Sequence, residues 1–140
     1  MINQTKIRTR YSETDQMGII YHSNYFVYFE VGRTNYLEQL GMTYKEMEQM
    51  GIIMPVTEVN CKYIKSALYY DELTINTYIK EMGIARMKFG YQVYRGDELL
   101  AEGFSEHAFV GRDNHRPLNL KKHNRELYDK MCEIAEQGRA

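Results

Sequence analysis

The chain has 140 residues, 18 Lys and Arg against 19 Asp and Glu, a net charge of −1 and 44% hydrophobic residues. That length fits one domain over residues 1–140, able to bury roughly 68–70% of the unfolded surface but with little room for a deep cleft, so a site for a large ligand is expected at an edge or between subunits. The balanced charge argues against a nucleic-acid binder, which needs a basic excess or stripe, and the longest apolar run, residues 52–56, contains Pro55, so no membrane span is expected.

In chain order, residues 4–11 alternate as a strand does, and the first ten residues lack the apolar region of a signal peptide. Residues 12–23 read as a polar loop containing Gly18. From 24 to 40 the period changes. Tyr25, Phe29, Gly32, Tyr36 and Leu40 recur at helical spacing, with a second row at Phe26, Arg33 and Leu37. Ser23 or Asn24 can cap this helix and Gly41 can end it. Gly32 costs about 1 kcal/mol against alanine within a helix, which predicts close approach to a sheet. Glu30 and Arg33, three apart, predict an intrahelical ion pair. A short helix is expected over 43–50, stopped by Gly51.

The remainder alternates with period two. Val59, Cys61 and Tyr63 form one run, Leu73, Ile75, Thr77 and Ile79 the next, and Ala85, Met87, Phe89, Tyr91 and Val93 a third. After the turn at Arg95-Gly96-Asp97 a last strand covers 99–110. Short connections make these neighbours antiparallel. A final amphipathic helix starts near Asn119, with Leu120, Leu127, Met131 and Ile134 on one stripe. The predicted fold class is α+β, one long helix lying against an antiparallel sheet of about five strands.

Several chemistries are excluded by pattern. Gly103-Phe104-Ser105-Glu106-His107 lacks the final glycine of G-x-S-x-G and falls within a strand; no Walker A or G-x-G-x-x-G occurs. The four histidines show no metal-ligand spacing, and Cys61 and Cys132 suggest neither a disulfide framework nor a zinc site, which points to a reducing cytoplasm and no metal.

The informative run is Tyr11-Ser12-Glu13-Thr14-Asp15-Gln16-Met17-Gly18-Ile19-Ile20-Tyr21-His22-Ser23-Asn24-Tyr25. It joins an acid, a glycine turn, a histidine and a helix start. The first amides of a helix have no intrahelical partner and can hold a carbonyl oxygen that becomes negative. A loop carboxylate such as Asp15 can attack that carbonyl or deprotonate a water that does. Thioesters suit this apparatus, because a thiolate leaves without strong protonation. Each residue also has a structural reading. Asp15 can simply make an Asx-turn before Gly18, His22 can be solvated or capping, Tyr11 and Tyr21 can be packing residues, and Glu13 is expected to be solvated. Arg86 and Lys88 face one side of a strand and can bind phosphate or simply be solvated.

The run from Tyr11 to Tyr25, continued by Phe29-Glu30 and Arg33, resembles the opening motif of hotdog-fold acyl-CoA thioesterases of the 4-hydroxybenzoyl-CoA thioesterase group. Lys65-Ser66-Ala67-Leu68-Tyr69-Tyr70-Asp71-Glu72-Leu73 resembles that group's lead-in to the next strand, with Ser66 where proline or another small residue is usual. The resemblance implies a hotdog fold, with the helix as the sausage, and a homodimer or a tetramer of dimers with the site between subunits. It places Asp15 as catalytic carboxylate, nucleophile or general base, and the amide near His22 as the group that polarises the thioester carbonyl. His22 in Tyr-His-Ser-Asn-Tyr resembles the Tol-Pal-associated subgroup, which implies an aliphatic acyl-CoA; Tyr11 matches that subgroup's site tyrosine. Tyr21 and Tyr25 fall in the implied substrate site, and Arg86 and Lys88 are candidates for the coenzyme A phosphates. No cofactor is implied beyond coenzyme A as part of the substrate. The alternative within the same fold is a non-catalytic acyl-CoA or acyl-carrier-protein binder.

Overall fold

Helical and period-two segments pack against each other as two layers in the computed structural model, which describes residues 1–137. Strand β1 (Asn3–Arg8) leads through a 3-10 turn at Tyr11–Glu13 to helix α1 (Asn24–Gln39) and the short helix α2 (Tyr44–Gln49). Then come β2 (Ile52–Ile53), β3 (Val56–Tyr63), β4 (Glu72–Met82), β5 (Arg86–Arg95), β6 (Glu98–Ala108) and β7 (Val110–Gly111). Helices α3 (Leu120–His123) and α4 (Arg125–Gln137) follow. Five strands form an antiparallel sheet in the order β1-β4-β5-β6-β3; β2 and β7 pair separately.

The period-two pattern assigns faces correctly in β4 and, from Met87 on, in β5, whereas the edge strand β3 shows no such alternation and Val59 and Tyr63 are exposed. Leu73, Ile75, Thr77 and Ile79 of β4 and Met87, Phe89, Tyr91 and Val93 of β5 are buried, with α1 and α4 both packed on β4. Helix α1 answers with Tyr25, Tyr28, Phe29, Gly32, Tyr36 and Leu37. The Phe29 ring stacks on Tyr91 at 4.2 Å and Tyr36 meets Phe89 edge-on at 5.8 Å. Helix and sheet approach closely at Gly32, since a Cβ there would lie 2.5 Å from Thr77 Oγ1. Gly41, at φ +71°, ends the helix as predicted, with its amide on the Glu38 carbonyl and Met42 N–H on the Leu37 carbonyl. Thr43 caps α2 by accepting from Glu46 N–H.

Five expectations are corrected. The first strand ends at Arg8, because the chain turns at Tyr11–Glu13 and Tyr11 no longer pairs. The run at 99–110 is two strands in different sheets, divided at Phe109. The last helix is broken at Asn124, which leaves helical geometry and accepts from Leu127 N–H, as Asn119 does from Lys122 N–H. The fourth correction is the side chain of Glu13, which is buried. The fifth concerns Arg33, which does not pair with Glu30 among the described residues but donates to the Tyr44 hydroxyl at 3.1 Å.

A polar thread crosses the core beside Arg33. His107 Nδ1 donates to the Met54 carbonyl at 3.1 Å, since a carbonyl can only accept, which leaves Nε2 to accept from Ser105 Oγ at 2.8 Å. Ser105 in turn accepts from the Tyr91 hydroxyl. Every member is therefore satisfied with a neutral imidazole. Burial holds the His107 pKa below the usual histidine range.

Candidate active site

Glu13 organises the informative loop. Its carboxylate accepts from Arg10 N–H at 2.7 Å and from the Tyr28 hydroxyl at 3.0 Å, and its carbonyl accepts from Tyr21 N–H at 2.8 Å and Asn24 Nδ2 at 3.0 Å. One residue thus ties the 3-10 turn to the first two turns of α1. Burial first, then the Glu13 carboxylate, pushes the Tyr28 phenol pKa up, so it stays a donor.

Beyond Glu13 the chain makes a tight hairpin. Asp15 N–H donates to the Ile19 carbonyl at 2.9 Å, Gly18 N–H to the Asp15 carbonyl at 3.0 Å, and Thr14 bridges Ile20. Gly18 supplies the left-handed turn at φ +77°. Asp15 Oδ1 accepts from Met17 N–H at 2.8 Å, which is the Asx-turn. The structural reading of Asp15 is therefore found, and it occupies only part of the carboxylate. One oxygen holds the turn, and Oδ2 has no hydrogen-bond partner among the described residues. The hairpin is joined to residues 67–68 by Ile20 N–H on the Ala67 carbonyl at 2.9 Å and by a bridge between Ile19 and Leu68.

Asp15, His22 and Tyr25 line one hollow of about 300 Å³, together with Met17, Ile19, Ile20, Tyr63, Ile64, Lys65 and Ser66. On the other side of Asp15 a more open hollow of about 760 Å³ is bordered by Tyr11, Glu13, Tyr21 and Asn24. Tyr11 and Tyr21 are exposed rather than packed; the Tyr11 ring meets Tyr69 at 5.8 Å and Tyr21 leans on His22 at 4.3 Å. Tyr11 reaches Asp15 only as a neighbour around that hollow, with no bond between their side chains among the described residues.

At the start of α1 the amides of His22 and Ser23 have no acceptor among the described residues, and the Ser23 side chain makes no cap bond. They are the orphan donors expected of a helix start. The Tyr63 hydroxyl donates to the His22 carbonyl at 2.9 Å, and its ring packs edge-on against Tyr25 at 5.1 Å. Desolvation lifts the Tyr63 phenol to about 12 and the neighbouring Cys61 thiol to about 11, so at neutral pH the first keeps its proton to donate and the second is no thiolate nucleophile.

Arg86 and Lys88 are not brought to this hollow within one chain. Tyr63 pairs with Ala101 and Ala101 with Val93, so Lys88 lies five residues, about 17 Å, further along β5 and two strands across. Both border a separate hollow of about 380 Å³, where Lys88 Nζ lies 3.8 Å from Glu81 and 4.8 Å from the Phe104 ring centre. Among the described residues no three His, Cys, Asp or Glu side chains come together to hold a metal.

Sequence reasoning missed Tyr63, Ile64, Lys65 and Ser66 as the opposite wall. For Lys65 and Ser66 the signal lay in the lead-in to β4, which resembled a family segment without saying what it touched; Tyr63 was read only as part of a strand. The hollow thus brings the Asp15 carboxylate together with His22 at the helix start, whose amide has no acceptor among the described residues. That pairing suits acyl transfer.

Comparisons with known proteins give the family. The sequence model of the Thioesterase-like superfamily matches residues 9–132. The chain is 36% identical over 122 residues to YneP of Bacillus subtilis (strain 168), covering 86% of this chain and 88% of that protein. It is 27% identical over 117 residues to the acyl-CoA thioesterase YbgC of Haemophilus influenzae, covering 83% and 86%. Among solved structures, the DHNA-CoA thioesterase of Staphylococcus aureus superposes with a TM-score of 0.88 at 35% identity, over 98% of this chain and 95% of that one. With its five-stranded antiparallel sheet set against α1, the chain belongs to the thioesterase-like superfamily of hotdog-fold thioester hydrolases.

Proposed function

We propose that the protein hydrolyses an acyl-CoA to the free acid and coenzyme A, with Asp15 as nucleophile or general base and the amides at His22 and Ser23 polarising the thioester carbonyl. The observation that carries this reading is the convergence of Asp15, His22 and Tyr25 on one hollow at the orphaned start of α1. Water adds to the acyl carbon and its hydroxyl ends on the acid; the C–S bond breaks and the sulfur leaves as thiolate, to be protonated to the thiol. Developing negative charge on the carbonyl oxygen is met by fixed N–H dipoles rather than by water. Coenzyme A enters as substrate, and the chemistry uses no further cofactor.

The acyl group is proposed to be aliphatic, on the strength of His22 and the Tol-Pal-associated subgroup it resembles within the 4-hydroxybenzoyl-CoA thioesterase group. A second reading, an aromatic acyl group, is favoured by the 35% identity to a DHNA-CoA thioesterase over nearly the whole chain. Under either reading the single domain is proposed to work as a homodimer or a tetramer of dimers, as the family resemblance implies. Strand β3 supports this, since it is an edge with Val56, Val59 and Tyr63 largely exposed. In such an assembly Arg86 and Lys88 would reach coenzyme A phosphates only on a neighbouring chain. Both cysteines are free thiols, in keeping with a cytoplasmic setting.

The test is free-thiol release from a panel in which acyl length, aromaticity and carrier (coenzyme A or acyl carrier protein) vary independently, with the oligomeric state measured by light scattering. Preference for aliphatic acyl-CoAs by tenfold or more in kcat/KM is the expected result. Preference for aromatic ones selects the second reading, and binding without turnover across the panel refutes both.

A further inference from the structure

Residues 64–71 connect β3 to β4, and the first three of them line the hollow, yet the segment carries no regular helix or long strand of its own. Ile64 and Lys65 donate their N–H groups to the Leu100 carbonyl of β6 at 2.8 and 3.0 Å, and the side-chain bonds beyond them come from the tip of the β5–β6 hairpin. Arg95, the last residue of β5, donates from Nη1 to Asp71 Oδ2 at 2.8 Å and to the Ser66 carbonyl at 3.3 Å, and from Nη2 to Glu98 Oε1 at 2.6 Å. Glu98 Oε2 accepts from Lys65 Nζ at 2.7 Å.

The bonds continue without a gap to Asp15. Asp71 Oδ2 also accepts from Leu68 N–H at 2.8 Å. Thr9 locks the same turn, with its N–H on the Asp71 carbonyl at 3.0 Å and its hydroxyl on the Leu68 carbonyl at 2.6 Å. Ala67 accepts from Ile20 N–H, and the Ile19 carbonyl accepts from Asp15 N–H, each at 2.9 Å.

We propose that Arg95 is a positioning residue for hydrolysis, clasping Ser66, Asp71 and Glu98 so that the segment at 65–68 holds the Asp15 hairpin in register with the amides of His22 and Ser23. This rests on the reading of Asp15 given above. The clasp is more than a surface ion pair, because one donor goes to the carbonyl of Ser66, which itself lines the hollow. Partly exposed pairs contribute little to global stability, whereas misplacing a reacting group by about 1 Å costs on the order of 10²-fold in rate. Arginine is required for its planar fork, since an ammonium group cannot span three acceptors in that geometry.

The experiment compares wild type, Arg95→Gln, Arg95→Lys, Asp15→Asn and the double variant Asp15→Asn/Arg95→Gln. It measures acyl-CoA hydrolysis and amide hydrogen exchange in the full chain. Arg95→Gln should lower kcat about 10- to 100-fold with KM within about threefold. Exchange should speed at 64–71 and 15–20 and stay unchanged in β4 and β5. Arg95→Lys should recover part of kcat, and Arg95→Gln should cause no further loss once Asp15 is Asn. A kcat within twofold of wild type, or a fully additive loss in the double variant, overturns the positioning role. Unchanged exchange at 64–71, or faster exchange throughout the sheet, overturns the clasp. Full turnover by Asp15→Asn overturns instead the reading of Asp15, so the two failures are distinct.

Discussion

Replacing Gly32 by alanine should destabilise the protein even though alanine is the better helix former by about 1 kcal/mol. The new Cβ would sit 2.5 Å from Thr77 Oγ1 and 3.0 Å from Ile75 Cγ2, against an ordinary contact distance of about 3.5–4.0 Å. Neither neighbour can step aside. Both are fully buried on β4, which is hydrogen-bonded on both sides, and β-branched side chains have little freedom at χ1. Helix and sheet must therefore part by about 1 Å. Overpacking of this kind costs about 1–3 kcal/mol, and a contact this short falls in the upper half, so the net loss is about 1–2 kcal/mol. Urea unfolding followed by circular dichroism should show a lower midpoint with an unchanged slope. Thr77→Ala removes the obstructing oxygen, which has no hydrogen-bond partner among the described residues. The double variant should accordingly be more stable than the sum of the singles by about 1 kcal/mol. A Gly32→Ala protein as stable as wild type, or one indifferent to Thr77→Ala, would refute the reasoning.

Three other substitutions probe the site and the core. Glu13→Ala should cost about 2–3 kcal/mol and reduce turnover, because it leaves the buried Tyr28 hydroxyl and the Arg10 amide without their acceptor; thermal melts and kcat check both halves. Tyr63→Phe keeps the ring against Tyr25 but loses the bond to the His22 carbonyl, so stability should fall by only about 0.5–1.5 kcal/mol while kcat falls severalfold. The buried His107 makes stability depend on pH. Its native pKa lies below the usual 6.5, so between those two values the unfolded chain binds the extra proton and stability drops as pH falls, by at most about 1.4 kcal/mol per pH unit. Above pH 6.5 this contribution is complete and flat. Denaturant midpoints from pH 5 to 8 should bend near 6.5 in wild type and lose that bend in His107→Asn.

How far the sequence could be read depended on whether the deciding partner was local. Period-two burial in β4 and β5, the glycine at the end of α1 and the close approach at Gly32 follow from spacing alone, and each is found. Glu13 could not be read that way. Its partner Tyr28 lies fifteen residues on, across a turn, and nothing in a lone glutamate of a polar loop announces burial. Arg33 was misassigned for the same reason, since a neighbour three residues away is visible in sequence and the Tyr44 hydroxyl on the next helix is not. For the site, the half carried by one continuous segment was legible: Asp15, His22 and the start of α1. The half brought from 63–66 depends on β3 pairing with β6, a long-range register.

The central claim is that Asp15 supplies the attacking or proton-accepting group, and turnover by Asp15→Asn tests it most directly. Asparagine preserves the side-chain acceptor for Met17 N–H, so the hairpin should keep its fold, and circular dichroism should match wild type. On the best acyl-CoA of the panel, kcat/KM should then fall on the order of 10²–10⁴-fold. A folded Asp15→Asn protein that hydrolyses that substrate within about threefold of wild type would contradict the account.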